Sequence, residues 1–217
     1  MGIETKKKPA LRASWRILML VSANLASGRY CSVSDLLRDA RKMRIPPLRI
    51  YEIILQCYLF LGYPRSIEGL KLLREHYPAF TPPDADEIGS ESSEKWQNRG
   101  ERLCRKIYGS NYEPLRDRIK SLSPDLDQWM VWEGYGKVLS RDGVPSALRE
   151  LCTCSALVVT GDIVQLHSHM IGAIHVGASW RMLEEMIDLL NGTAKAGMCR
   201  GASALLNRIS QKAGKDA

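Results

Sequence analysis

Apolar side chains recur every three or four residues through nearly the whole of this 217-residue chain, and a pattern of that period buries one continuous face only as a helix. Ile50, Ile53, Ile54, Cys57, Tyr58 and Leu61 make one such stripe, and Leu183, Met186, Ile187 and Leu190 make another. The strict alternation of a half-buried strand is scarce. Helix punctuation agrees. Ser123-Pro124 offers a cap and a first-turn proline for a helix over Asp125–Leu139, Pro145-Ser146 precedes the next, and Ser179 can cap one starting at Trp180. Gly28, Gly62, Gly161, Gly177 and Gly197 fall where helices should stop. The expected fold class is all-α.

Between Tyr77 and Glu94 the composition turns acidic and proline-bearing, with Pro82-Pro83-Asp84-Ala85-Asp86-Glu87 followed by Gly89-Ser90-Glu91-Ser92-Ser93. This reads as an exposed connection, residues 77–94, between a helical unit over 1–76 and a second over 95–217. The two units resemble each other. An offset of 133 places Arg16–Gly28 on Arg149–Gly161 and Ala40 on Ala173; a two-residue adjustment then matches Leu61-Gly62 with Ala196-Gly197, Arg65 with Arg200 and Leu70 with Leu205. The ordered set argues for two tandem, diverged copies.

The net charge of +7 is local: residues 1–50 hold 11 Lys/Arg against 3 Asp/Glu, and the remainder 20 against 21. Without aromatic interleaving, a helix-turn-helix pattern or a phosphate loop, such charge is read as a solvated tail or face, and nucleic acid is not expected as a partner. Lys6-Lys7-Lys8 before Ile17–Val21 imitates a secretory signal, but Arg12 and Arg16 flank the apolar stretch and Arg16–Gly28 has a counterpart deep in the second unit, so a core helix is expected there. No run is long enough to span a bilayer, and no membrane association is expected. Six scattered cysteines without a C-x-x-C pair or zinc-ligand spacing point to reduced thiols and a cytoplasmic setting, with no metal or cofactor.

The chemistry-bearing residues cluster in the second unit. Tyr135-Gly136 and Ser140-Arg141 lead into Arg149-Glu150-Leu151, then Gln165-Leu166-His167-Ser168-His169, then Gly172-Ala173 and Val176-Gly177-Ala178. In order and spacing the series resembles the signatures of the carboxymuconolactone decarboxylase-like family, within the alkylhydroperoxidase D-like superfamily, and Leu61-Gly62-Tyr63-Pro64 resembles that family's G-[FY]-P element. The resemblance covers about two thirds of the chain and implies an alkylhydroperoxidase D-like helical bundle, a homo-oligomer, and an enzyme working on a small-molecule carboxylate.

The alkylhydroperoxidase D branch uses a Glu, a C-x-x-C pair and a His at fixed intervals. With Glu150 on that Glu, His169 falls on the His and Asp162 and Gln165 occupy the thiol positions. The dithiol is gone, and with it the nucleophile and the resolving thiol of a peroxidase. What remains is acid–base chemistry: His169 and Glu150 as the expected catalytic pair, with Gln165, Arg141, Tyr135, Cys154 and Asp162 as expected substrate contacts. Glu150 and Cys154 share a helix face at i,i+4, as do Gln165, His169 and Ala173. Arg141 is the candidate carboxylate clamp by its fork geometry. His167 lies on the far side of the helix from His169. In the first unit Ile17 and Leu36 stand at the matching positions, so that copy is expected to be structural. Cofactor-free decarboxylation of a small carboxylated lactone or related metabolite is thus the leading expectation. A thiol-dependent redox protein using Cys154, or a non-catalytic helical scaffold, are its rivals.

Overall fold

The computed structural model describes residues 10–84 and 90–214, so Lys6-Lys7-Lys8 and the centre of the acidic connection lie outside the described residues. The described chain is helical and holds no strand. In order, it contains α1 (Ala13–Ser27), α2 (Tyr30–Lys42), α3 (Pro47–Gln56), α4 (Tyr58–His76), α5 (Ser90–Tyr108), α6 (Tyr112–Leu122), α7 (Pro124–Trp129), a π-helix (Met130–Leu139), α8 (Ser146–Thr160), α9 (Ile163–His175), α10 (Trp180–Leu189) and α11 (Ala196–Ala213). Ser123 and Ser179 cap as their sequence context predicts, accepting from the Leu126 and Met182 amides at 3.2 Å each. Gly28 and Gly161 end α1 and α8 in the left-handed conformation. Two glycines behave otherwise. Gly62 kinks α4 rather than ending it, and Gly197 sits in the first turn of α11.

Two further elements differ from the sequence reading. The helix α5 begins at Ser90, so the last residues of the expected connection are already helical. The single helix expected over Asp125–Leu139 changes type after one and a half turns, continuing as a π-helix. Its wider coil lies directly against α5, and glycines make the approach feasible: a Cβ on Gly136 would overlap the carbonyl oxygen of Trp96, and one on Gly100 that of Val131.

At the centre, α1 and α8 pack along their length. Every residue of α8 from Ala147 to Val158 is buried, so this helix is apolar or neutral nearly all round, as a fully enclosed core helix must be. One continuous apolar core joins α1–α4 to α8–α11, drawing on both sides of the acidic connection. A smaller cluster, with Cys104, Ile107, Tyr112, Val131 and Tyr135, lies between α5, α6 and the π-helix. The helices α1, α2 and α3 begin 133 residues before α8, α9 and α10 respectively and match them in length, residue for residue.

The charged groups buried in the large core are paired, although Arg149 Nε and the Ser66 hydroxyl find no hydrogen-bond partner. Arg149 of α8 donates to Glu52 Oε2 at 2.9 Å, to Gln56 Oε1 at 3.1 Å and to the Arg141 carbonyl at 3.0 Å. Gln56 returns a bond to the Arg149 carbonyl at 3.0 Å, and Arg141 Nε reaches both oxygens of Glu52 at 3.0 and 3.1 Å. Burial lowers the Arg149 pKa and the Glu52 carboxylate opposes that shift. At the positions 133 residues away, Glu185 of α10 accepts the Ala10 and Leu11 amides at 2.8 and 3.0 Å and lies in the field of Arg16.

Removing one partner of such a network strands a charge in the core. Glu52→Ala should therefore cost about 3–5 kcal/mol in urea unfolding; a loss below about 1 kcal/mol, the range of exposed ion pairs, would contradict this account of the core.

Candidate active site

The helix α8 presents neighbouring side chains to two different partners. Arg149 turns to α3, and Glu150, about 100° further round by helical geometry, turns to α9, where His169 Nδ1 lies 2.8 Å from Glu150 Oε2. Both side chains are buried, His169 at 8% and Glu150 at 3% exposure. In the tautomer with its hydrogen on Nδ1, the imidazole donates to Glu150 and leaves Nε2 outside this bond. The edge of Phe60, from the short first turn of α4 ahead of the Gly62 kink, meets the imidazole with ring centres 5.2 Å apart. Gly172 keeps the corner open: a Cβ there would come within 2.7 Å of Ile107 Cγ2 and 3.3 Å of Glu150 Oε2.

His169 lines a mostly apolar cavity of about 640 Å³ between α9, the π-helix, α6 and the start of α4. Leu59, Phe60, Met130 and Leu139 form part of its wall, and Leu122, Leu126, Trp129 and Val164 hold its exposed rim. Its polar groups are few. Tyr135 and Tyr108 join hydroxyls at 2.6 Å, and Glu133 accepts from the Tyr58 hydroxyl at 2.9 Å. Burial, with Glu150 adding to it, pushes both the Tyr108 and Tyr135 pKa values up, so each stays a neutral hydroxyl through the physiological range. Arg118 is the arginine on this wall.

Of the residues expected from sequence, Glu150 and His169 meet, and Gln165 and Tyr135 join His169 on the cavity wall. Three do not. Arg141 is not a wall residue of this cavity; its guanidinium is drawn away by the buried Glu52 carboxylate. Asp162 is exposed at the start of α9, where its carboxylate accepts from the Thr160 hydroxyl. Cys154 is fully buried below Glu150 and lines no part of the cavity, and burial followed by the Glu150 charge raises its thiol pKa well above the usual value. Cys104 is raised likewise by burial, and Cys57 to about 12. His167 is exposed, as its angular position predicts. Among the described residues no group of His, Cys, Asp and Glu is arranged to hold a metal ion, and no helix is long and apolar enough to cross a membrane.

Phe60, Tyr108, Glu133 and Arg118 escaped the sequence reading. Tyr108 and Arg118 belong to α5 and α6, which carry none of the short motifs, and Phe60 comes from the opposite half of the chain.

No family model matches the sequence. It is similar to Peroxisomal protein 2 of Schizosaccharomyces pombe, 28% identical over 167 residues that make up 75% of this chain and 77% of that protein. It is also similar to Peroxisomal protein 2 of Saccharomyces cerevisiae, 26% identical over 168 residues, 66% of this chain and 58% of that one.

The raised thiols give a direct test of the buried geometry. At pH 8 the native protein should show one fast-reacting thiol with a disulfide reagent, the exposed Cys31, with the other five released only on unfolding. A Cys31→Ser variant that still reacts rapidly would show that a buried cysteine is accessible.

Proposed function

We propose that this chain is a cofactor-free, acid–base enzyme of the carboxymuconolactone decarboxylase-like kind, acting on a carboxylated lactone or a related acid. The observation behind this reading is the 2.8 Å Glu150–His169 contact at a cavity of about 640 Å³. In the proposed reaction the bond to the carboxylate carbon breaks and carbon dioxide leaves. Its electron pair passes into the conjugated lactone carbonyl as an enolate, and His169 Nε2 delivers a proton to carbon. The Glu150 carboxylate compensates the imidazolium charge before transfer, and water restores the proton afterwards. Of the bonded Tyr108–Tyr135 hydroxyls, the one that accepts keeps its own hydrogen for the developing enolate oxygen. Arg118 takes the place first given to Arg141 as the cation that meets the substrate carboxylate. The size and apolar walls favour a substrate with a larger apolar body than a bare five-membered lactone.

The thiol-dependent alternative loses support because Cys154, its required nucleophile, is buried, protonated and off the cavity. Three helix pairs of equal length at one constant offset support an internal duplication, with Ile17 and Leu36 where the second half has Glu150 and His169. On that reading the first half lends Leu59 and Phe60 to the surviving site, standing in for a second subunit, and a homo-oligomer of this chain is a further part of the proposal. The names of these two relatives favour a peroxisomal setting over a cytoplasmic one; co-localisation of a tagged full-length protein with a peroxisomal marker tests it.

Carbon dioxide release from a panel of carboxylated lactones, with chelator present, tests the chemistry. His169→Gln should lower kcat by about 10²–10⁴, Tyr135→Phe by about 10², and Cys154→Ser by little. Full activity in His169→Gln would overturn the assignment.

A further inference from the structure

A second concavity, of about 660 Å³, opens between α3, α5 and the loop leading into α8. It shares only Leu139 with the His169 cavity and differs from it in chemistry. Five cations line it: Arg49 from α3, Arg99, Arg102 and Lys106 from one stripe of α5, and Arg141 from the loop. The i, i+3, i+7 spacing on α5 brings its three onto a single face. Opposite them stands the first turn of α8 at Ser146, whose leading amides have no intrahelical acceptors and form the positive end of a 15-residue helix.

The charges are not cancelled from within. Arg141 shares the Glu52 carboxylate with Arg149 and is left out of the count, while Arg49, Arg99, Arg102 and Lys106 enter no ion pair among the described residues, and Asp142 is the lone carboxylate on the lining. Four cations against one acid leave three net positive charges. Arg49 Nε and Arg99 Nη2 are steadied by the Gly143 and Gly136 carbonyls at 3.3 and 2.9 Å, which holds two guanidinium groups in place. The Nε of Arg99 is buried without a hydrogen-bond partner.

We infer that this cleft binds a small, soluble ligand bearing two phosphoryl groups. A phosphoryl group brings roughly −1.5 to −2 charges near neutral pH, so two of them balance the lining, and guanidinium forks with a helix N-terminus are the donors that phosphate oxygens take. The cations stand on three walls of a concavity, which suits a compact ligand better than a planar lipid surface. The lining also has no aromatic residue on which nucleic-acid bases would stack. Nothing in this inference depends on the chemistry proposed for His169.

Calorimetry with inorganic pyrophosphate at low ionic strength tests it on the full chain. The expected result is saturable one-to-one binding, at least about tenfold tighter than sulfate. Binding should be retained in His169→Gln and weakened at least about tenfold in Arg102→Ala/Lys106→Ala. Arg102 and Lys106 are exposed, so the double variant should melt as the parent does without ligand and lose the stabilisation that pyrophosphate gives the parent. Absence of saturable heat, equal binding by the double variant, or capture of duplex DNA or anionic vesicles in place of pyrophosphate would each overturn the inference.

Discussion

The burial of Arg149 fixes the rest of the molecule. A helix enclosed on every side, as α8 is from Ala147 to Val158, has no solvent-facing stripe to set its rotation, and close packing of small and medium apolar groups tolerates more than one register. A guanidinium charge in that core needs a counter-charge, and its two terminal nitrogens find Glu52, Gln56 and a loop carbonyl in this orientation of α8 against α3. That orientation aims the next residue, Glu150, at His169. The polar network thus ties the two sides of the acidic connection together and points the one buried carboxylate on α8 at the one buried histidine on α9.

The same burial decides which chemistry is open. Around Glu150, the thiols of Cys104 and Cys154 and the hydroxyls of Tyr108 and Tyr135 are all held in their neutral forms by desolvation, with the carboxylate adding to the effect. Neutral phenols remain useful as hydrogen-bond donors, whereas a protonated, enclosed thiol is a packing group. The environment that encloses the Glu150–His169 contact is therefore also the one that keeps the neighbouring thiols protonated. The π-helix contributes by pressing Gly136 onto α5, where Tyr135 meets Tyr108 at the cavity wall.

Two concavities back onto Leu139 with opposite character, one apolar with a His and a Tyr pair, the other polar and basic. Arg141 shows how they are divided. It lies two residues beyond the π-helix, and Glu52 draws its guanidinium to the basic side. The carboxylate it clamps is the protein's own.

The helices and much of their phasing are legible in the amino-acid chain. Periodicity, Ser123 and Ser179 caps, and the left-handed Gly28 and Gly161 are local, and local physics suffices for them. The pairing of Glu150 with His169, nineteen residues on, was legible through the family resemblance, which carries that interval. Tertiary structure alone decided that Gly62 kinks and Gly197 starts a helix, that Asp125–Leu139 widens to a π-helix, that Arg141 and Asp162 lie off the cavity, and that Phe60, Tyr108 and Arg118 lie on it. Each of those outcomes depends on which distant helix supplies the opposing surface. An interaction made across 90 or more residues, such as Arg149 with Glu52, leaves no periodic trace in the chain that makes it.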